Sequence, residues 1–247
     1  MKCLFTLFKT ELILSVREFS GVLFGLIMPV GIMLLLGVLH GDKPAYEGAS
    51  FTLVQQSFAA VATIGICASG LMGIPLNIAA YREKKILKHF KVTPTSPFLL
   101  LGAQFLTNLV FAVLSSLLVF LVALLFFNYS LQGPLLQFIL AYGLVLTAIF
   151  SLGMMIASVS GNIKTANLLC TIFYFPMLFL SGATIPFEIM PVGLQKVSSI
   201  MPLTQGIRLL KNVSLATTDT NWLKPVIILS ATAVLGMIIS VKTFRWE

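Results

Sequence analysis

Six apolar stretches, none containing an Asp, Glu, Lys, Arg or His, divide this chain: about Gly21 to Leu39, Phe51 to Ala79, Pro97 to Phe127, Leu135 to Val159, Ala166 to Thr184 and Pro225 to Val241. A helical bilayer crossing takes roughly 20 apolar residues, with a lower bound of about 17, so each stretch is long enough to span. Lipid offers the backbone no hydrogen-bond partners, which leaves helices as the way such segments satisfy their own N–H and C=O groups. The expectation is therefore an all-α integral membrane fold with six transmembrane helices. Only 10% of the residues are charged, against about 25% in soluble domains, and the mean hydropathy is +1.01. The six spans and their short loops take up the 247 residues as a single transmembrane domain, with no room for a soluble catalytic domain.

The connections set the orientation. The N-terminal segment, the 81–97 loop, the 160–164 turn and the C-terminus together hold eleven Lys and Arg, whereas the alternate loops hold five. The positive-inside rule then puts both termini in the cytoplasm of a multi-pass protein of the cell (inner or plasma) membrane. The formal charge of +8 is explained by basic residues flanking apolar runs, where they set orientation and meet anionic lipid headgroups. No nucleic-acid partner is expected.

Residues 1–20 are interrupted by Lys9, Glu11, Arg17 and Glu18, which excludes the apolar core of a cleavable signal. Phe5, Phe8, Leu12, Val16 and Phe19 recur at helical spacing, as in a helix lying in the membrane interface. Pro29 is expected to break the first span, and Ser96-Pro97 to start the third as N-cap and first helical residue. Residues 185–224 are too polar and proline-rich for a seventh span. Pro186, Pro191 and Pro202 cut them into short pieces, which suits either extracellular re-entrant helices or a folded external cap.

A search for chemistry finds no catalytic residue and no metal site. The phosphate-binding pattern Gly-x-x-x-x-Gly-Lys-Ser/Thr is missing, Gly161-Asn-Ile-Lys164 being the nearest approach. The spans lack the buried ionisable groups on which ion-coupled carriers depend. Gln55, Gln56, Asn77, Gln104, Asn108 and Gln137 are their strongest polar groups, and such amides bridge helices more often than they bind cargo. Cys67 and Cys170 read as packing residues. Two small-residue pairs, Gly21 with Gly25 and Ser69 with Gly73, suit close helix contact within one subunit or across to a second.

The informative element is the 81–97 loop, expected to carry a cytoplasmic helix of about three turns. Glu83, Ile86, Leu87 and Phe90 fall along one stripe and Lys84, Lys88 and Lys91 along another. Such a helix can rest on lipid headgroups or fit a groove on a partner protein, and the pattern alone does not choose.

Three segments, in order, carry a resemblance. Arg82-Glu-Lys-Lys-Ile-Leu-Lys-His-Phe-Lys-Val-Thr-Pro94 between the second and third spans, Phe175-Pro-Met-Leu-Phe-Leu-Ser-Gly-Ala-Thr-Ile-Pro186 in the fifth, and Met190-Pro with Met201-Pro-Leu-Thr-Gln-Gly-Ile-Arg208 after it resemble the ABC-2 family of exporter permeases. Lys85 stands where the family pattern has glycine. The resemblance implies that 81–97 is a coupling helix on a separate ABC ATPase, with Glu83, Leu87 and Phe90 seating it and Arg82 and Lys84 meeting the ATPase or lipid. It also implies two ATPase subunits and a second permease copy or sister permease. ATP and Mg belong to the ATPase, and this chain binds no cofactor. The expected function is outward movement of an amphipathic or hydrophobic molecule such as a drug, toxin, peptide or lipid-linked product. A non-transporting membrane scaffold and a gradient-driven carrier are the alternatives.

Overall fold

The computed structural model describes residues 2–41, 43–45, 51–86, 97–182, 190–217 and 222–244. These form eleven α-helices: α1 (Lys2–Arg17), α2 (Phe19–Val22), α3 (Met28–His40), α4 (Leu53–Cys67), α5 (Ile74–Glu83), α6 (Pro97–Phe127), α7 (Leu135–Val159), α8 (Ile163–Leu180), α9 (Val192–Ser198), α10 (Pro202–Ser214) and α11 (Leu223–Thr243). Two π-helical turns, Leu23–Ile27 and Ala68–Gly73, join α2 to α3 and α4 to α5. Among the described residues, six helices are long and apolar enough to cross a membrane.

Both π turns have the same origin. A proline inside a helix lacks an N–H and its ring meets the carbonyl four residues back. Pro29 and Pro75 each follow a π turn, inside which those carbonyls, of Gly25 and Leu71, fall. The wider turn accommodates the ring, so the helix continues through Pro29 instead of breaking there.

The second span, Leu53–Glu83, is the axis of the bundle. Its most apolar window is 83% buried, against 17–28% for the first, third, fifth and sixth spans. Thr52 and Gln55 start it with a reciprocal capping box, at 3.2 and 3.0 Å. The outer helices turn large apolar side chains outward, among them Val38, Leu125, Phe126 and Val241. That is the surface expected where lipid is the solvent. On α7, a Cβ built on Gly153 would lie 1.9 Å from the Gly70 carbonyl oxygen, so glycine is required where α7 crosses the axis. Ser158 and Thr243 share a 2.7 Å hydroxyl contact that ties α7 to α11.

Past α8, Pro191 caps α9 and Pro202 opens α10. Pro186 lies outside the described residues. At one end of α10 the Ser214 carbonyl accepts from the Gln132 N–H at 3.1 Å. Further down, Gly206 packs on Val145, ten residues into α7 and so about 15 Å along it. α10 thus runs beside α7 with Leu203, Ile207 and Leu210 buried.

Candidate functional site

The root of the 84–96 loop is built from the last turn of α5. Arg82 is only 6% exposed. Its guanidinium donates to the Ala157 carbonyl at 2.9 Å and to the Ser160 carbonyl, and stands 5.4 Å from the centre of the Phe244 ring. These carbonyls belong to the C-terminal end of α7, where helix dipoles concentrate negative charge, so a cation suits them. Beside it, the Glu83 carboxylate accepts the Ile163 N–H at 3.0 Å and so caps the first turn of α8, which Asn162 also caps by accepting from the Thr165 N–H at 2.8 Å. Two consecutive residues therefore fasten the loop to α7, α8 and the residue that ends α11.

This differs from the sequence expectation for both residues. Arg82 is turned inward, because the free carbonyls of α7 are its strongest acceptors within reach, and the Glu83 carboxylate, though exposed, is engaged within the protomer. Lys84 is exposed. Lys85 adopts φ = 58°, the left-handed region that favours glycine. Leu87 and Phe90 lie outside the described residues.

A second cluster joins α1 to the bundle. Glu11, 5% exposed, accepts from the Tyr81 hydroxyl at 2.5 Å and from the Gln104 amide. Gln104 Oε1 in turn accepts from Asn77 Nδ2 at 3.2 Å and Asn108 Nδ2 at 3.4 Å. Burial raises the pKa of Glu11 above the ordinary carboxylate range, with the Tyr81 hydroxyl opposing. The sequence reading missed Glu11 as an inward-facing residue. The signal was available: Leu4, Leu7, Phe8 and Glu11 share one helical face, and it is this face that turns inward.

The small-residue pairs separate. Gly73 packs on α6, since a Cβ there would lie 2.2 Å from Asn108 Oδ1, and Ser69 is buried. Added Cβ atoms at Gly21 and Gly25 would meet nothing within 4 Å. Gly25 is buried, its carbonyl oxygen 3.4 Å from where a Cβ on Gly65 would stand, while the Cβ positions of the pair border a cavity of about 110 Å³ between the two π turns.

The family model for ABC-2 type transporters matches residues 2–214. The chain is 26% identical over 187 residues to the probable multidrug ABC transporter permease YbhR of Escherichia coli K12, an alignment covering 73% of this chain and 49% of YbhR. It is 29% identical over 129 residues to the inner membrane transport permease YhhJ of the same organism, covering 52% of this chain and 34% of YhhJ. It is 34% identical over 64 residues to nodulation protein J of Rhizobium leguminosarum bv. viciae, covering 26% of this chain and 25% of that protein. The chain thus spans half or less of the length of these relatives.

Proposed function

The chain belongs to the ABC-2 type transporter family, and on that premise we propose that it is the membrane-spanning permease of an exporter whose ATP and Mg are bound by a separate ATPase chain. The observation that carries this reading is the root of the 84–96 loop. A basic loop that leaves the bundle at exposed Lys84 and Lys85, and is held to three spans by Arg82 and Glu83, is suited to receive force from a soluble partner and deliver it to the bundle.

In this account both termini and the 84–96 loop are cytoplasmic, supported by eleven of the 16 Lys and Arg lying on that side. Two ATPase subunits seat on the coupling helices of two permease copies, or of this chain and a sister permease. ATP binding closes the ATPase pair and displaces each loop. Because Arg82 holds the end of α7 and Glu83 the start of α8, the displacement tilts spans as rigid bodies between inward-open and outward-open arrangements. α1 lies along the inner interface, a reading supported by outward-facing Phe5, Ile13 and Val16 on the side away from Glu11. α9 and α10 re-enter the outer leaflet, supported by the packing of Gly206 halfway along α7. The cargo is amphipathic or hydrophobic, and the multidrug designation of the relative YbhR supports the drug class within that range.

Affinity purification of tagged protein in mild detergent, followed by mass spectrometry, tests the partnership. A stoichiometric chain carrying a phosphate-binding loop is expected, and it should be lost on combining Lys84→Glu with Phe90→Asp. Recovery of no ATPase, under conditions that preserve other membrane complexes, would overturn the reading in favour of a scaffold or a gradient-driven carrier.

A further inference from the structure

The cavity between the two π turns is a built polar site. Its volume, about 110 Å³, is well below the roughly 300 Å³ at which pockets for drug-sized molecules begin. It has room for a head group only.

The amide oxygens lining it are acceptors that meet no donor among the described residues. Asn108, 7% exposed, commits its Nδ2 to the Gln104 carbonyl at 2.9 Å and to Gln104 Oε1, leaving Oδ1 with no hydrogen bond to any described residue. Asn77 likewise spends Nδ2 on Gln104, its Oδ1 making no hydrogen bond to any described residue. Ser69, 6% exposed, has a hydroxyl with no partner among the described residues. These oxygens are not sealed off by protein atoms, so the N–H groups of an occupant can reach them from the cavity. Glu18 supplies a carboxylate to the lining, and among the described residues no Lys or Arg belongs to it. Phe24 and Phe111 add ring faces of the kind that attract cations.

The cavity has an open side. No atom lies within 4 Å of an added Cβ at Gly21 or Gly25, and Phe24 is half exposed. A chain attached to a head group in the cavity can leave sideways there. In the orientation proposed above, that side faces the inner leaflet. Both walls are π turns, which recur at functional sites because the widened helix frees backbone and space.

We propose that this cavity binds the primary-ammonium head of a single-chain amphipath arriving from the inner leaflet, with Asn77, Asn108 and Ser69 accepting its N–H bonds and Glu18 balancing its charge. As a statement about cargo this rests on the exporter reading. As a binding site it does not.

The test uses the purified full chain in phosphatidylcholine nanodiscs and saturable binding of radiolabelled decylammonium. Unlabelled decylammonium should displace the label, with decanol and decanoate weaker by about tenfold or more. Gly25→Leu, whose Cβ meets no described side chain within 4 Å, puts bulk into this space and should weaken binding by about tenfold or more. Glu18→Gln, a surface change that cannot unfold the bundle, should weaken it about threefold, since its carboxylate is partly screened. If binding also falls when phosphatidylethanolamine replaces phosphatidylcholine, the head group of a lipid occupies the same site; if it does not, the occupant is a free amphipath. An absence of saturable binding, equal competition by decanol, or unchanged affinity in a folded Gly25→Leu protein would overturn the proposal. None of these results touches the ATPase partnership, which is measured separately.

Discussion

Arg82→Ala should unlock the end of α7 from the root of the loop. The side chain is 6% exposed, donates to the carbonyls of Ala157 and Ser160, and faces the Phe244 ring. Hydrogen bonds from a charged donor are worth about 1.5–3 kcal/mol each, and a partly desolvated cation–ring contact adds about 0.5–2 kcal/mol. Truncation leaves two helix-terminal carbonyls without their donor. A net loss of about 2–4 kcal/mol, from unsatisfied carbonyls at about 1–3 kcal/mol each and the lost ring contact, is therefore expected. Arg82→Lys keeps the charge but not the fork, and should lose about half as much. Lys84→Ala, two positions on but exposed, should change stability by less than about 0.5 kcal/mol. Equilibrium unfolding in mixed micelles, followed by circular dichroism, measures all three. An Arg82→Ala protein within about 0.5 kcal/mol of wild type, or one no weaker than Lys84→Ala, would refute the anchoring argument.

Three further outcomes follow from the same structure. Because burial raises the pKa of Glu11, the folded protein holds that proton more tightly than the unfolded chain, so stability is greatest below the ordinary carboxylate range and falls as pH rises toward the folded value. Glu11→Gln should flatten this slope in thermal unfolding measured across pH, while Glu11→Ala, which strands the Tyr81 and Gln104 donors, should lose about 1–3 kcal/mol. Lys85→Gly should gain about 1 kcal/mol by relieving the left-handed backbone at φ = 58°, read as a shift of the unfolding midpoint. Gly153→Ala places a methyl 1.9 Å from the Gly70 carbonyl oxygen and should lose about 1–3 kcal/mol, or fail to assemble, by the same assay.

The ends of the spans were legible where local chemistry decides them. α7 begins after Pro134 and stops at Val159, as the apolar run predicts, and α6 begins at Pro97. α8 starts three residues earlier than its apolar run because Asn162 caps it. The second span runs on to Glu83, beyond the point where charge ends the apolar pattern, because α7 and α8 supply partners for Arg82 and Glu83. That information lies in residues 75 to 80 positions away and has no local signature. Pro29 shows a different limit: the residue announces a disturbance, but whether the helix breaks or widens depends on its neighbours. In the sequence Glu11 stands with Lys9, Arg17 and Glu18 among the charges interrupting residues 1–20. It is buried because Gln104, 93 positions on, and Tyr81 are there to meet it.

The central claim is that nucleotide on a partner chain moves this one through the root of the 84–96 loop. Hydrogen exchange of the purified assembly in nanodiscs, with and without saturating ATP, tests it without knowledge of the cargo. Amides of 84–96 should change together with those of 157–165, where Arg82 and Glu83 hold α7 and α8. A change confined to the loop would contradict the proposed transmission, and no change in either segment with ATPase bound would contradict ATP coupling itself.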